Sequence, residues 1–109
     1  MIRGTTPARA LTIEGIDLTG YSYEVAIKQG TVLIIKEDED CDLTVTAEGE
    51  TPTSTINFSL TQEETLRLSA KGEVKLQVRY IDEGGIAGAT SIATESVSGI
   101  LRDGVINYA

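Results

Sequence analysis

Five of the seventeen acidic residues of this chain fall in one short stretch, "EDEDCD": Glu37, Asp38, Glu39, Asp40 and Asp42. Oxygen ligands at that density are the raw material of a calcium site, and a tight one needs about six to eight oxygens arranged by a loop that turns sharply at a Gly. No Gly lies within the stretch and the EF-hand spacing is absent. The five carboxylates therefore stand as a weak cation candidate, and otherwise as a solvated hairpin tip whose charges discourage wrong edge pairing. Paired carboxylates also serve as acid and base on glycosides. That chemistry wants aromatic sugar platforms, and the chain has four Tyr, one Phe and no Trp.

The remaining chemistry-bearing residue types argue against an enzyme. Cys41 has no His partner, because the chain contains no His, and its acidic neighbours oppose thiolate formation. Ser and Thr are frequent but have no base to activate them. The glycines Gly84, Gly85 and Gly88 do not sit between a strand and a helix as a phosphate-binding loop requires. No catalytic residue and no cofactor is expected.

A formal charge of -8 repels nucleic acid and anionic membrane surfaces. The start, "MIRGTTPARA", has no apolar signal-peptide run, and nowhere do about eighteen apolar residues run together to cross a bilayer. These features predict a protein made in a cytoplasm, with neither nucleic acid nor membrane as partner. One Cys and no His leave no disulfide or common zinc spacing to hold the fold, so 109 residues must form one domain, 1–109, around an apolar core.

Strand patterns position everything else. Leu11 and Ile13 alternate with polar neighbours in "RALTIEG". In "YSYEVAIKQG", Tyr21, Tyr23, Val25 and Ile27 share one face, and "TVLIIK" follows Gly30, which predicts a hairpin from Tyr21 to Lys36. The unbroken apolar run in "TVLIIK" suggests burial on both faces. Leu43, Val45 and Ala47 alternate in the next run, and Ile56, Phe58 and Leu60 in the one after; "EGETPT" forms the turn between them and pairs them antiparallel. Val74, Leu76, Val78 and Tyr80 give the cleanest alternation, a Gly-rich loop follows, and "TSIATESVSGIL" is a weaker strand with Ile92, Thr94 and Ser96 on one face and Ala93, Glu95 and Val97 on the other. About seven short strands with turn signals every ten or so residues predict an immunoglobulin-like antiparallel β-sandwich.

One stretch departs from the β pattern. In "LTQEETLRL", Thr61 and Glu64 have the spacing of a capping box, which predicts a helical turn near residues 62–67. Gln62, Glu63 and Glu64 suit the positive end of a helix, and Arg67 follows Glu63 by four. Leu60, Leu66 and Leu68 would anchor this turn to the core as it carries the chain from one sheet to the other. Its outward face, Gln62, Glu63 and Arg67, is a candidate contact surface. The tail carries Val105, Ile106 and Tyr108, which need something to dock against.

The opening "MIRGTTP", the central "LTQEETLRL", the strand "VKLQVRY" with the Gly-rich hairpin after it, and the ending "GILRDGVI" resemble small proteins encoded in structural gene clusters of phages and prophages of Gram-positive bacteria, especially gut Clostridia. After Pro7 the chain departs from that pattern, with fewer apolar residues in its first strand. The resemblance implies a tail- or baseplate-associated virion protein, present in the host cytoplasm before assembly, that works by contacts with other virion proteins and as a homo-oligomer. Its contact residues would be Val105, Ile106, Tyr108, Gln62, Glu63 and Arg67, with Met1 to Pro7 as a docking arm. The alternative is a carbohydrate- or cell-surface-binding sandwich that uses its end loops with Tyr21 and Tyr23.

Overall fold

Alternating side chains place one face of each strand inward, and the chain answers with two antiparallel sheets. The computed structural model describes residues 1–47 and 51–108. The strands are β1 (Ala8–Glu14), β2 (Ser22–Gln29), β3 (Val32–Glu37), β4 (Asp42–Thr46), β5 (Thr53–Ser59), β6 (Glu73–Ile81), β7 (Ala87–Ala89) and β8 (Ala93–Ser96), with one α-helical turn, α1 (Gln62–Leu66), between β5 and β6. One sheet has the order β1-β5-β4; the other has the order β3-β2-β6-β7, with β8 also on β6. The all-β sandwich and the antiparallel β4–β5 pair are as the sequence predicts. The strand count is eight among the described residues, because the last edge of the larger sheet is broken into β7 and β8. At the break, Thr90 takes over the pairing: its Oγ1 accepts from the Val78 N–H at 3.1 Å and its own N–H donates to the Val78 carbonyl at 2.9 Å.

The core lies between the sheets. Val25, Ile27, Ile56, Val74 and Val78 are fully buried, and each such aliphatic side chain is worth about 1.5–3 kcal/mol relative to exposure. Ser54 is one of two fully buried polar residues among the described ones. Its Oγ donates to the Ile16 carbonyl at 2.6 Å and accepts from the Leu18 N–H at 3.0 Å, so the loop from β1 to β2 is pinned and Leu18 plugs the core. With both hydroxyl roles filled, the burial of Ser54 costs little.

The hairpin between β2 and β3 is closed by the pair Gln29 and Val32. Gly30 stands first in the two-residue turn at φ +58, a conformation that β-carbon sterics leave to glycine at this place. Burial on both faces of β3 is not observed. β3 is an edge strand, and Leu33 on its outer face is 48% exposed while Ile34 on the inner face is buried.

The acidic stretch is also placed differently from the hairpin tip its composition suggests. β3 and β4 belong to different sheets, and Asp38–Asp40 form a 3-10 turn that carries the chain across the edge of the sandwich. Asp40 closes this turn by accepting from the Glu37 N–H at 3.3 Å. Residues 48–50 of the expected "EGETPT" turn lie outside the described residues. The first residues do not form a free arm: Met1 to Arg3 run parallel to the chain at Ser98, with Arg3 N–H donating to Ser98 O at 3.0 Å and Ser98 N–H to Met1 O at 2.8 Å.

Candidate functional site

The predicted helical turn is real, and it is the junction of the molecule. Thr61 Oγ1 accepts from the Glu64 N–H at 3.1 Å while Glu64 Oε1 accepts from the Thr61 N–H at 2.8 Å, which completes the capping box. The same Oε1 receives Nζ of Lys36 at 2.6 Å. Burial raises the Glu64 pKa, but the hydrogen bonds from Lys36 and Thr61 outweigh it and the net shift is downward. Lys36 points inward from edge strand β3, so this pair both holds α1 and closes one flank of the sandwich. Leu60 and Leu68 are buried as anchors. The residue that pattern reading missed is Thr65, fully buried, with its hydroxyl 2.9 Å from the Thr5 carbonyl.

Arg3 seals the other end of the turn. Its Nε donates to Leu68 O at 2.6 Å and its Nη2 to Leu66 O at 2.9 Å, where carbonyls at the end of a helix favour a cation. Its Nη1 meets Asp103 Oδ1 at 2.6 Å. One guanidinium thus ties the first residues, the helical turn and the tail together.

Gln62 makes the second tie to the tail. Its Nε2 donates to the Ile106 carbonyl at 3.0 Å, and its Oε1 accepts from the Ile106 N–H at 2.8 Å. A single amide can satisfy both groups of one residue only when they point the same way, as in an extended strand. Ile106 is therefore held in an extended conformation by a side-chain amide. Beyond these ties the tail stands clear of the core: Ile106 is 79% exposed and Tyr108 fully so. Leu101 is likewise fully exposed. Of the sequence-predicted contact residues, the structure brings Gln62 and Ile106 together, with Val105 and Tyr108 beside them. Glu63 and Arg67 are exposed, and no ion pair joins them among the described residues; the ion pair of α1 is made by Glu64.

The other candidates are dispersed. Among the described residues no three carboxylates gather where a metal ion could sit. Cys41 is half-buried, and burial followed by the charge of Asp40 pushes its thiol pKa up. Tyr23 is buried at 8% exposure, and Tyr21 packs against Tyr80 with ring centroids 6.1 Å apart. Glu24, Glu37 and Asp38 line a shallow cleft of about 440 Å³ with Arg79 and the strand ends around Tyr80. No helix among the described residues is long and apolar enough to cross a membrane.

No protein-family model and no curated protein matches the chain. Among solved structures it is similar to an uncharacterized protein of Listeria monocytogenes EGD-e, at 14% identity and a TM-score of 0.49 over 87% of this chain. The chain spans 8% of that protein's length. It is also similar to a purple acid phosphatase from yellow lupin seeds (Lupinus luteus), at 11% identity and a TM-score of 0.44, covering 78% of this chain and 16% of the phosphatase.

Proposed function

We propose that the chain is a structural module of a phage or prophage particle, a virion or tail component that works through protein–protein contacts with other virion proteins and with copies of itself. The observation that carries this reading is the tail: two apolar side chains, Ile106 and Tyr108, are held away from the core by polar ties at Gln62 and Arg3 rather than packed against it. Apolar groups presented in a fixed conformation outside the core are characteristic of contact surfaces. The resemblance of its segments to those of phage structural proteins supplies the particle context.

Two measurements test the proposal together. Light scattering of the full chain over a concentration series is expected to give a mass above that of the monomer, and mass spectrometry of purified particles is expected to find the chain in stoichiometric amount. A monomer at every concentration, together with absence from the particles, contradicts it.

A further inference from the structure

The tail holds one residue pair with chemistry of its own. Asp103 and Gly104 mark the only place in the chain where Gly follows an Asp or an Asn. At such a pair the backbone nitrogen of the Gly can attack the side-chain carboxyl carbon of the Asp, because no β-carbon shields that nitrogen and Gly adopts the required backbone angles readily. The N–Cγ bond forms, the carboxyl O–H leaves as water with the amide proton, and a five-membered succinimide results. Water then adds to one of the two ring carbonyls. Opening at Cγ restores Asp, whereas opening at the backbone carbonyl carbon breaks the original peptide bond and leaves the chain running through Cβ and Cγ as isoaspartate. The water lost is regained, so mass and oxidation state are unchanged.

Little in the fold holds the reacting atoms apart. The Asp103 side chain is 64% exposed, and Gly104 lies outside every helix and strand at φ +126. Among the described residues the Gly104 N–H makes no hydrogen bond. Leu101 and Arg102 before the pair are exposed as well, as segments open to local motion are. Asp82 makes the contrast: it is half-buried, its Oδ1 accepts from the Ile86 N–H at 2.9 Å, and Glu83 follows it. One restraint acts on Asp103, the hydrogen bond at 2.6 Å from Arg3 Nη1 to its Oδ1. That contact has to break before the side chain turns onto the Gly104 nitrogen.

We propose that Asp103 and Gly104 form a site of spontaneous isomerisation to isoaspartate, restrained by Arg3, and that the product unfastens the tail. Isoaspartate adds one methylene to the main chain and carries its free carboxylate directly on Cα, so the side-chain arm that reached Arg3 is gone. Arg3 holds the tail at Asp103 and Gln62 holds it at Ile106, three positions on. With an extra atom in so short a span, the two ties no longer fit together.

Ageing the full chain at neutral pH and cutting it with endoproteinase Lys-C, which releases Leu76–Ala109, tests this. A second peak of equal mass, matching a synthetic peptide with isoaspartate at position 103, is expected to grow, with no comparable growth of isoaspartate at position 82. Asp103→Glu, whose ring would need six members, is expected to abolish the peak. Arg3→Ala, its fold verified by circular dichroism, is expected to speed the reaction about two- to fivefold, the scale of an exposed ion pair. High salt on the wild type screens the same pair and serves where Arg3→Ala does not fold. The Ile106 amide of the aged chain is expected to exchange hydrogen in two populations, the faster one growing in step with the isoaspartate peak. Isoaspartate forming no faster at 103 than at 82, or a peak that persists in Asp103→Glu, overturns the site. A rate unchanged by the loss or screening of Arg3 overturns the restraint, and a single Ile106 population in an isomerised chain overturns the release of the tail.

Discussion

Arg9 on β1 and Glu95 on β8 face each other across the two sheets, with Nε to Oε1 at 2.7 Å and Nη2 to Oε2 at 3.1 Å, and the N-terminal ammonium lies 3.3 Å from the same carboxylate. Together with Lys36 and Glu64 on the opposite flank, this pair closes the sandwich, each flank by an inward-pointing cation on an edge strand. Such inward charges also discourage an edge strand from pairing with the wrong neighbour.

The Arg9 clasp makes stability depend on pH. The hydrogen bond from Arg9 holds the Glu95 carboxyl below its ordinary 4.5, against the opposing effect of burial. The folded value lies below the unfolded one, so this contribution is complete above about pH 4.5 and is lost as pH falls through the lower folded value. Both side chains are about a third exposed, so Glu95→Gln is expected to cost about 0.5–1.5 kcal/mol at pH 7 in urea unfolding, a cost that shrinks toward zero in acid.

Thr61→Ala removes the N-cap acceptor of α1 and is expected to cost about 1 kcal/mol. Thr65→Val keeps the shape but strands the Thr5 carbonyl in a partly buried place, with an expected cost of about 1–2 kcal/mol. Urea midpoints of both variants against wild type measure this.

Gln62→Ala cuts the tie to Ile106 and leaves the core alone. Global stability is expected to change by less than about 0.5 kcal/mol, while the Ile106 amide loses its protection in hydrogen exchange. An unchanged exchange rate at that amide contradicts the tie.

Gly88 pairs with Tyr80, and a β-carbon built on it would come within 2.7 Å of the ring. Gly88→Ala is therefore expected to destabilise by about 1–3 kcal/mol through displacement of Tyr80. The calorimetric Tm of the variant reads it directly.

Much of the fold was legible because its signals are local. The alternation of β2 and β6 put Val25, Ile27, Val74, Leu76 and Val78 inside, and Thr61 with Glu64 announced the helical turn. What failed depends on contacts distant in sequence. Whether "TVLIIK" is central or peripheral is decided by which strands flank it, so its apolar run predicts a buried Leu33 where the residue lies exposed on an edge. Five carboxylates in a row signal solvent, but not that β3 and β4 belong to different sheets. The tail residues were picked out by hydropathy, whereas the amide of Gln62, 44 positions away, which fixes their conformation, leaves no trace in a sequence pattern.

The central proposal is that the tail is a contact surface for another protein chain. Replacing Tyr108 with photoreactive p-benzoylphenylalanine tests that most directly, with the same replacement at Thr44, exposed on β4, as the comparison. Irradiation of cells assembling particles, and of the purified full chain, is expected to join position 108 to a second chain in high yield and position 44 in little. Equal yields at the two positions, or no intermolecular product at position 108, would contradict the account.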